Sequence, residues 1–260
     1  MLVKRNITLI LLIIALVSLV SVSGCAVIVG SGDLETREYE YFDFTRIEIG
    51  YAFEAEIYQD NLFMVKITLD DNVFEYLDIS QSDETLKITM KPGNVFTRVT
   101  QHVVITLPDL EKLELSGASK ADVSNYSSLH DLDFILSGAS QMDISNISSA
   151  NVTLELSGAS RTDGTITMNN GYFDISGAST ITLEGLAQNV VADVSGASRA
   201  YLDDFEVVNA WINLSGASRG NVNASGQLSC DLSGASTLHY IGSPTLGNIN
   251  ITGASTLSQK

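Results

Sequence analysis

Carboxylates and aromatic rings recur through the second half of this 260-residue sequence at a spacing that could do chemistry on a sugar or a cation. Glu114, Glu155, Asp174, Asp193 and Asp231 each stand two residues before a copy of one tetrapeptide, Ser-Gly-Ala-Ser. Such an interrupted acid ladder could coordinate calcium, as other β-solenoids do, and a matched pair could act as acid and nucleophile on a glycosidic bond. The glycine-aspartate nonapeptide of calcium-binding β-rolls is absent and no pair is singled out, so solvated surface charge is the favoured reading. Two residues outward, three successive repeats present Tyr172, Val191 and Trp211, flanked by Asp174, Asp193 and Asn213. Rings stack on apolar faces while carboxylates and amides bond polar edges, so these six form a candidate site for a glycan or an extended peptide. The rival reading is that another segment of the chain covers them.

Other reactive residue types give weaker signals. The repeated serines would need a recurring basic partner to act as nucleophiles, and none accompanies them. His102, His130 and His239 share no ligand spacing with one another or with a cysteine, so neither a metal nor any other cofactor is expected. Lys120 beside Asp122 and Arg161 beside Asp163 could pair on one face, with little effect on stability.

The tetrapeptide itself determines what must position these residues. Seven copies begin at Ser116, Ser137, Ser157, Ser176, Ser195, Ser215 and Ser233, and an eighth reads Thr252-Gly253-Ala254-Ser255. A period of 18 to 21 residues with no helical pattern reads as a solenoid built from stacked coils. An aliphatic residue precedes every copy, from Leu115 to Ile251, and a second apolar residue lies two earlier, from Leu113 to Ile249. Alternation of this kind is a half-buried strand. A second alternation follows the tetrapeptide, with Ala121 and Val123, Met142 and Ile144, and Ile181 and Leu183 inward. The glycine between the two strands would turn the corner, and the small Ala and Ser beside it would let corners stack, with hydroxyls free to bond along the stack. The sequence therefore predicts an all-β solenoid, a β-helix of about 19–20 residues per coil over residues 111–260.

Residues 33–110 also alternate, with Arg46-Ile47-Glu48-Ile49 and Leu86-Lys87-Ile88-Thr89-Met90 as examples. Ile49 to Ile57 aligns with Leu115 to Val123 in the same in-and-out order, which makes it a degenerate first coil. Asp71 to Leu77 reads as a short helix with Asp71 or Asn72 near its N-cap. Atypical terminal repeats cover the ends of solenoid cores, so residues 33–110 are expected to form an irregular, β-rich N-terminal cap. The opposite end offers five residues after Ser255, and unpaired strand edges there would favour end-to-end self-association.

The N-terminus addresses the chain to an envelope. Lys4 and Arg5 precede an apolar run from Ile7 to Val20, which ends in Val22-Ser23-Gly24-Cys25. The run is short for a membrane span and reads as a signal peptide over residues 1–24. The four residues around Cys25 resemble a prokaryotic lipobox, although Val22 stands where Leu is commonest. That resemblance implies cleavage before Cys25, a lipid on its thiol and new amino group, a membrane-anchored linker over residues 25–32, and localisation outside the cytoplasm. Cys230, the other thiol, is expected to be a buried small hydrophobe with no disulfide partner. Loss of residues 1–24 removes Lys4 and Arg5 and no acids, moving the formal charge from −17 to −19. A chain this acidic repels phosphate backbones, so no nucleic-acid partner is expected.

Taken together, Gly30-Ser31-Gly32, Phe44-Thr45-Arg46-Ile47, the Ala52-Phe53 pair, Leu107-Pro108-Asp109-Leu110 and the recurrent Ser-Gly-Ala-Ser resemble a bacterial and archaeal family, the putative auto-transporter adhesin, head GIN domain. The resemblance runs from about Val27 to Lys260 and implies a right-handed β-helix, an envelope location and no established enzymatic activity. The first expectation for function is therefore a surface-anchored, non-catalytic binding or adhesion module that uses a solenoid face. A structural envelope or assembly protein is the alternative, and a polysaccharide-cleaving β-helix enzyme is a second alternative that rests on fold analogy.

Overall fold

A computed structural model describes residues 26–128 and 130–260. Cys25 and the signal segment, where cleavage and lipid attachment are expected, lie outside the described residues. The chain is an all-β solenoid of about seven turns.

The tetrapeptide makes one corner of every coil. In all eight copies the glycine has φ between 69° and 76°, a region closed to most side chains. Its carbonyl accepts a hydrogen bond from the alanine N–H of the next coil at 2.7–2.8 Å, seven times in succession. The last serine of each of the seven Ser-Gly-Ala-Ser copies is buried. At three corners its hydroxyl donates within its own turn, as from Ser140 Oγ to the Ser137 carbonyl at 2.8 Å. The hydroxyls of Ser179 and Ser198 also accept from the serine N–H of the preceding coil at 3.3 Å. Ser179 and Ser198 therefore join corners to one another, and among the described residues no basic side chain is hydrogen-bonded to the corner serines.

Parallel pairing then stacks like residues on like. One interior column runs Leu86, Ile47, Leu113, Phe134, Leu154, Phe173, Ala192, Ile212, Cys230 and Ile249. All but Ile249 are buried, and the residues expected inward after the tetrapeptide are buried as well. Continuous core along the axis is what makes each coil depend on its neighbours.

Two further corners hide inside long strands such as Arg161–Ile175, where the in-and-out alternation slips at Gly164–Thr165 and again at Asn169–Asn170. At the first of these, earlier coils place Asn125 and Asn146 at positive φ, and Asn146 Nδ2 donates to Asn125 Oδ1 at 3.0 Å. At the second an amide ladder passes from coil to coil. Asn209 donates to Asn189, Asn189 to Asn170, Asn170 to Asn151 and Asn151 to Asp131, at 3.0, 2.8, 2.7 and 2.6 Å. Each amide in this chain gives one proton and takes one, so corner residues that would otherwise compete for water are satisfied internally.

The first coil pairs in the anticipated register, with Ile49 opposite Leu115 and Ala55 opposite Ala121. Its corner differs, since Tyr51 and Ala52 take the positive φ and fully buried Phe53 replaces the corner serine. Above it, Thr85–Met90 and Gln101–Leu107 still pair in parallel, but Leu77–Ser82, Met64–Asp70 and Leu34–Tyr39 add antiparallel. Antiparallel strands thus end the stack, because such a strand does not continue the parallel winding of the coils.

The helix expected over Asp71 to Leu77 is a 3-10 helix, Asp71–Tyr76, and its N-cap position is Asp70 rather than Asp71 or Asn72. No side chain caps it, because the Asp70 carboxylate instead accepts from Gly32 N and Thr100 N, each at 2.7 Å. Asp71 Oδ1 accepts from Ser31 Oγ at 2.6 Å, and Asn72 Oδ1 takes Ser31 N at 3.1 Å. Gly30-Ser31-Gly32 is therefore pinned to the cap. A Cβ on Gly30 would lie 2.4 Å from the Arg98 carbonyl. Within residues 25–32, Ala26–Val29 forms a strand on Asn94–Thr97.

At the opposite end Ile249 is half-buried and Ile251 exposed, since no other described coil stacks upon them. Lys260 folds back there to pair with Asp203. Among the described residues no helix is long and apolar enough to cross a membrane.

Candidate functional site

Strand parity and parallel register together build an aromatic wall. Phe173, Ala192 and Ile212 point inward, which forces Tyr172, Val191 and Trp211 outward. Pairing places Tyr172 opposite Val191 and Val191 opposite Trp211, so the three form a column with steps of about 4.8 Å. Tyr172 is 49% exposed and Trp211 46%, while Val191 between them is half-buried. Both rings of the expected platform are thus about half in solvent.

Beside this column runs the acid ladder in the order Glu48, Glu114, Ile135, Glu155, Asp174, Asp193, Asn213, Asp231 and Asn250. All six candidate residues therefore come together on one face. Trp211 Nε1 donates to Asn213 Oδ1 at 3.0 Å, and Asn213 Nδ2 donates to Asp193 Oδ1 at 2.6 Å. That relay fixes the indole edge and leaves its face open. Asp174, Asp193, Trp211, Asn213 and Asp231 line an open groove of about 390 Å³. Stacking faces flanked by acceptors suit a pyranose ring or a peptide side chain.

The same wall continues toward the N-terminal end, where sequence reasoning identified nothing. The aromatic column extends through Thr153, Asp133, Lys112 and Arg46 to Thr85. A larger groove of about 620 Å³ is lined there by Arg46, Glu48, Glu111, Lys112, His130, Asp131 and Asp133. Its cations are held by neighbouring acids, Arg46 by Glu111 at 3.1 Å and Lys112 by Glu114 at 3.2 Å. Asp131 terminates the amide ladder at this groove. The asparagine spacing of that ladder was legible in the sequence, whereas the groove is assembled from four separate segments and was not.

The remaining candidates are dispersed. Arg161 pairs with Asp163 as anticipated, its Nη2 donating to Oδ1 at 2.9 Å. Lys120 pairs with Glu54 of the first coil at 3.5 Å rather than with Asp122, because its long stem reaches the adjacent strand. Asp122, Asp143 and Asp163 stack in one column. Partial burial and the charges of its two neighbours push the Asp143 carboxyl above its ordinary range. His102 bonds Glu56 at 3.1 Å, His130 lies 3.8 Å from Asp109, and His239 bonds Ser258 at 2.8 Å. Among the described residues no group of three His, Cys, Asp or Glu is arranged to hold a metal ion.

Fold and wall together define a β-solenoid that presents a long, aromatic-bearing side to its surroundings. The family described as putative auto-transporter adhesin, head GIN domain, matches residues 43–244, and the chain belongs to it. Similar solved structures include a putative lipid binding protein from Parabacteroides distasonis, 20% identical with a TM-score of 0.81, covering 90% of this chain and 99% of that one. A putative adhesin from Parabacteroides merdae is 16% identical with a TM-score of 0.79, over 90% of this chain and 99% of the other. Another putative adhesin from P. distasonis is 18% identical with a TM-score of 0.80, over 90% and 100%. At these identities the likeness is one of fold. A search among curated proteins finds no match.

Proposed function

We propose that the protein is a lipid-anchored binding module of the cell envelope that holds a glycan or an extended peptide along its aromatic wall. The observation that carries this reading is the pairing of two exposed rings, Tyr172 and Trp211, in one column beside uncompensated carboxylates and a groove. Exposed rings gathered on one face beside a groove are the kind of apolar patch that marks an interaction site. Two strand steps separate the rings, about 9.6 Å, which lets one linear ligand lie along the solenoid axis and contact both. Family membership supports a surface location, and the Val22-Ser23-Gly24-Cys25 segment supports the anchor. The polysaccharide-cleaving alternative gains no residue-level support, because carboxylates recur at most steps of the ladder and no pair is set apart.

Trp211→Ala is expected to weaken glycan or peptide binding by about tenfold or more, as loss of a stacking ring does. Its effect on stability should stay within about 0.5 kcal/mol, because the ring is half in solvent and its one hydrogen bond is exposed. Glycan and peptide arrays followed by calorimetry, with urea unfolding of the same variant, read both quantities. A loss of several kcal/mol in stability, or unchanged binding, would remove the platform from the argument. Anchoring is checked separately by mass spectrometry of the processed protein. The expected product is a lipid-modified Cys25 at the N-terminus, lost in Cys25→Ser, and a mature end elsewhere overturns the anchor.

A further inference from the structure

On the face beyond the Gly-Ala corner, cations and acids follow a rule that breaks near the C-terminal end. One outward column reads Glu54, Lys120, Gln141, Arg161, Thr180, Arg199, Arg219, Thr237 and Thr256. The next outward column, two residues along each strand, reads Glu56, Asp122, Asp143, Asp163, Thr182, Tyr201, Asn221, His239 and Ser258. Arg161 has Asp163 two residues on and pairs with it. At the equivalent positions Arg199 has Tyr201 and Arg219 has Asn221.

Arg199 and Arg219 are direct register partners, both exposed, and neither forms an ion pair among the described residues. Like charges directly opposite on adjacent strands destabilise a sheet. In a chain of 14 basic and 31 acidic residues, a local counter-charge would be easy to supply. Asp203, four residues after Arg199, is already held by Lys260 and by Asn221 Nδ2 at 2.7 Å.

We propose that Arg199 and Arg219 form an anion subsite for an acidic glycan, one bearing sulfate ester or uronate groups. Two guanidinium forks about 4.8 Å apart can each bind an oxyanion in bidentate fashion or share one between them. Tyr201, half-buried two residues from Arg199, gives a sugar ring a surface to rest on. Thr180 and Thr237 flank the pair in the same column and place hydroxyls at its two ends. The column neighbours are polar throughout, with no apolar side chain to enter a bilayer, which favours a glycan over a lipid headgroup. This subsite lies on a different face from Tyr172 and Trp211, so the two proposals stand or fall separately.

Titration of the protein with a sulfated hexasaccharide and with an oligouronate, followed by calorimetry at several salt concentrations, tests this. Saturable binding of at least one is expected, weakening as salt rises, and falling about tenfold or more in the Arg199→Gln, Arg219→Gln double variant. Arg161→Gln should leave it unchanged. The double variant is expected to fold with equal or greater stability, since a repulsion is removed, and only the wild-type protein should gain thermal stability from the bound sugar. Absence of saturation by either sugar, or equal binding in the double variant, overturns the proposal. Binding confined to inorganic sulfate or to anionic phospholipid vesicles overturns it as well.

Discussion

Gly196→Ala should destabilise the solenoid by about 3–5 kcal/mol, the range reached when backbone strain and a steric clash act at one position. Two separate effects add here. Gly196 has φ of 72°, where a Cβ alone costs about 1–2 kcal/mol. That Cβ would also lie 2.5 Å from the carbonyl oxygen of Gly177 in the preceding coil, and 3.2 Å from its nitrogen. Backbone cannot step aside as a side chain can, so the two coils must separate at the corner. The same Gly177 carbonyl accepts the Ala197 N–H at 2.8 Å, and separation weakens that bond too. Gly32→Ala is the control, because Gly32 has φ of 86° but nothing within 4 Å of the added methyl. It should cost only the conformational part, about 1–2 kcal/mol. Equal losses for the two variants in urea unfolding would show that conformational strain alone explains the glycine, and that corner stacking does not depend on it.

The contrast explains why this fold was largely legible in its sequence. A glycine corner repeated eight times between strands of strict parity leaves little freedom in how coils stack. Parity also placed Tyr172 and Trp211 outward, because Phe173 and Ile212 could hardly be anywhere but inside. One of the other two corners was not legible, since it is a single-residue slip inside a strand whose residues vary between Asn125, Asn146, Gly164 and Gly185. Several sequences meet the same backbone requirement there, so no motif marks it. The remaining corner does carry a signal, Asn151, Asn170, Asn189 and Asn209 at coil spacing, which only the hydrogen bonds between them make meaningful. The cap was read as a cap, but its antiparallel ending and the Asp70 anchor depend on pairings between segments tens of residues apart. Those are the contacts that local pattern cannot show. The unpaired Arg199 and Arg219 became visible only when register put them side by side, with the counter-charge rule of earlier coils as the reference.

Cys230 offers the sharpest check of that register, because a chemical reagent can read it. The residue is 2% exposed and stacks between Ile212 and Ile249 in the interior column. Burial, with a smaller contribution from the charge of Asp231, pushes its thiol up to about 11. At pH 8 both the low thiolate fraction and the lack of access oppose modification, so labelling of the folded protein should be far slower than in urea. Cys230→Asp is expected to cost about 3 kcal/mol or more, since a carboxylate would be buried among aliphatic side chains with no partner, or would have to take up a proton to stay there. Cys230→Ala, which removes a small volume and adds no polar atom, should cost about 1 kcal/mol. Asp231, one residue on and exposed, carries the same carboxylate at no such penalty, so the comparison isolates the face rather than the strand. The outcome that would break the assignment is rapid labelling of Cys230 in the native state together with an Asp variant as stable as the Ala variant. Slow labelling with a poorly tolerated Asp would place Trp211 and Asn213 outward by the same parity, since they flank Ile212, the residue on which Cys230 stacks.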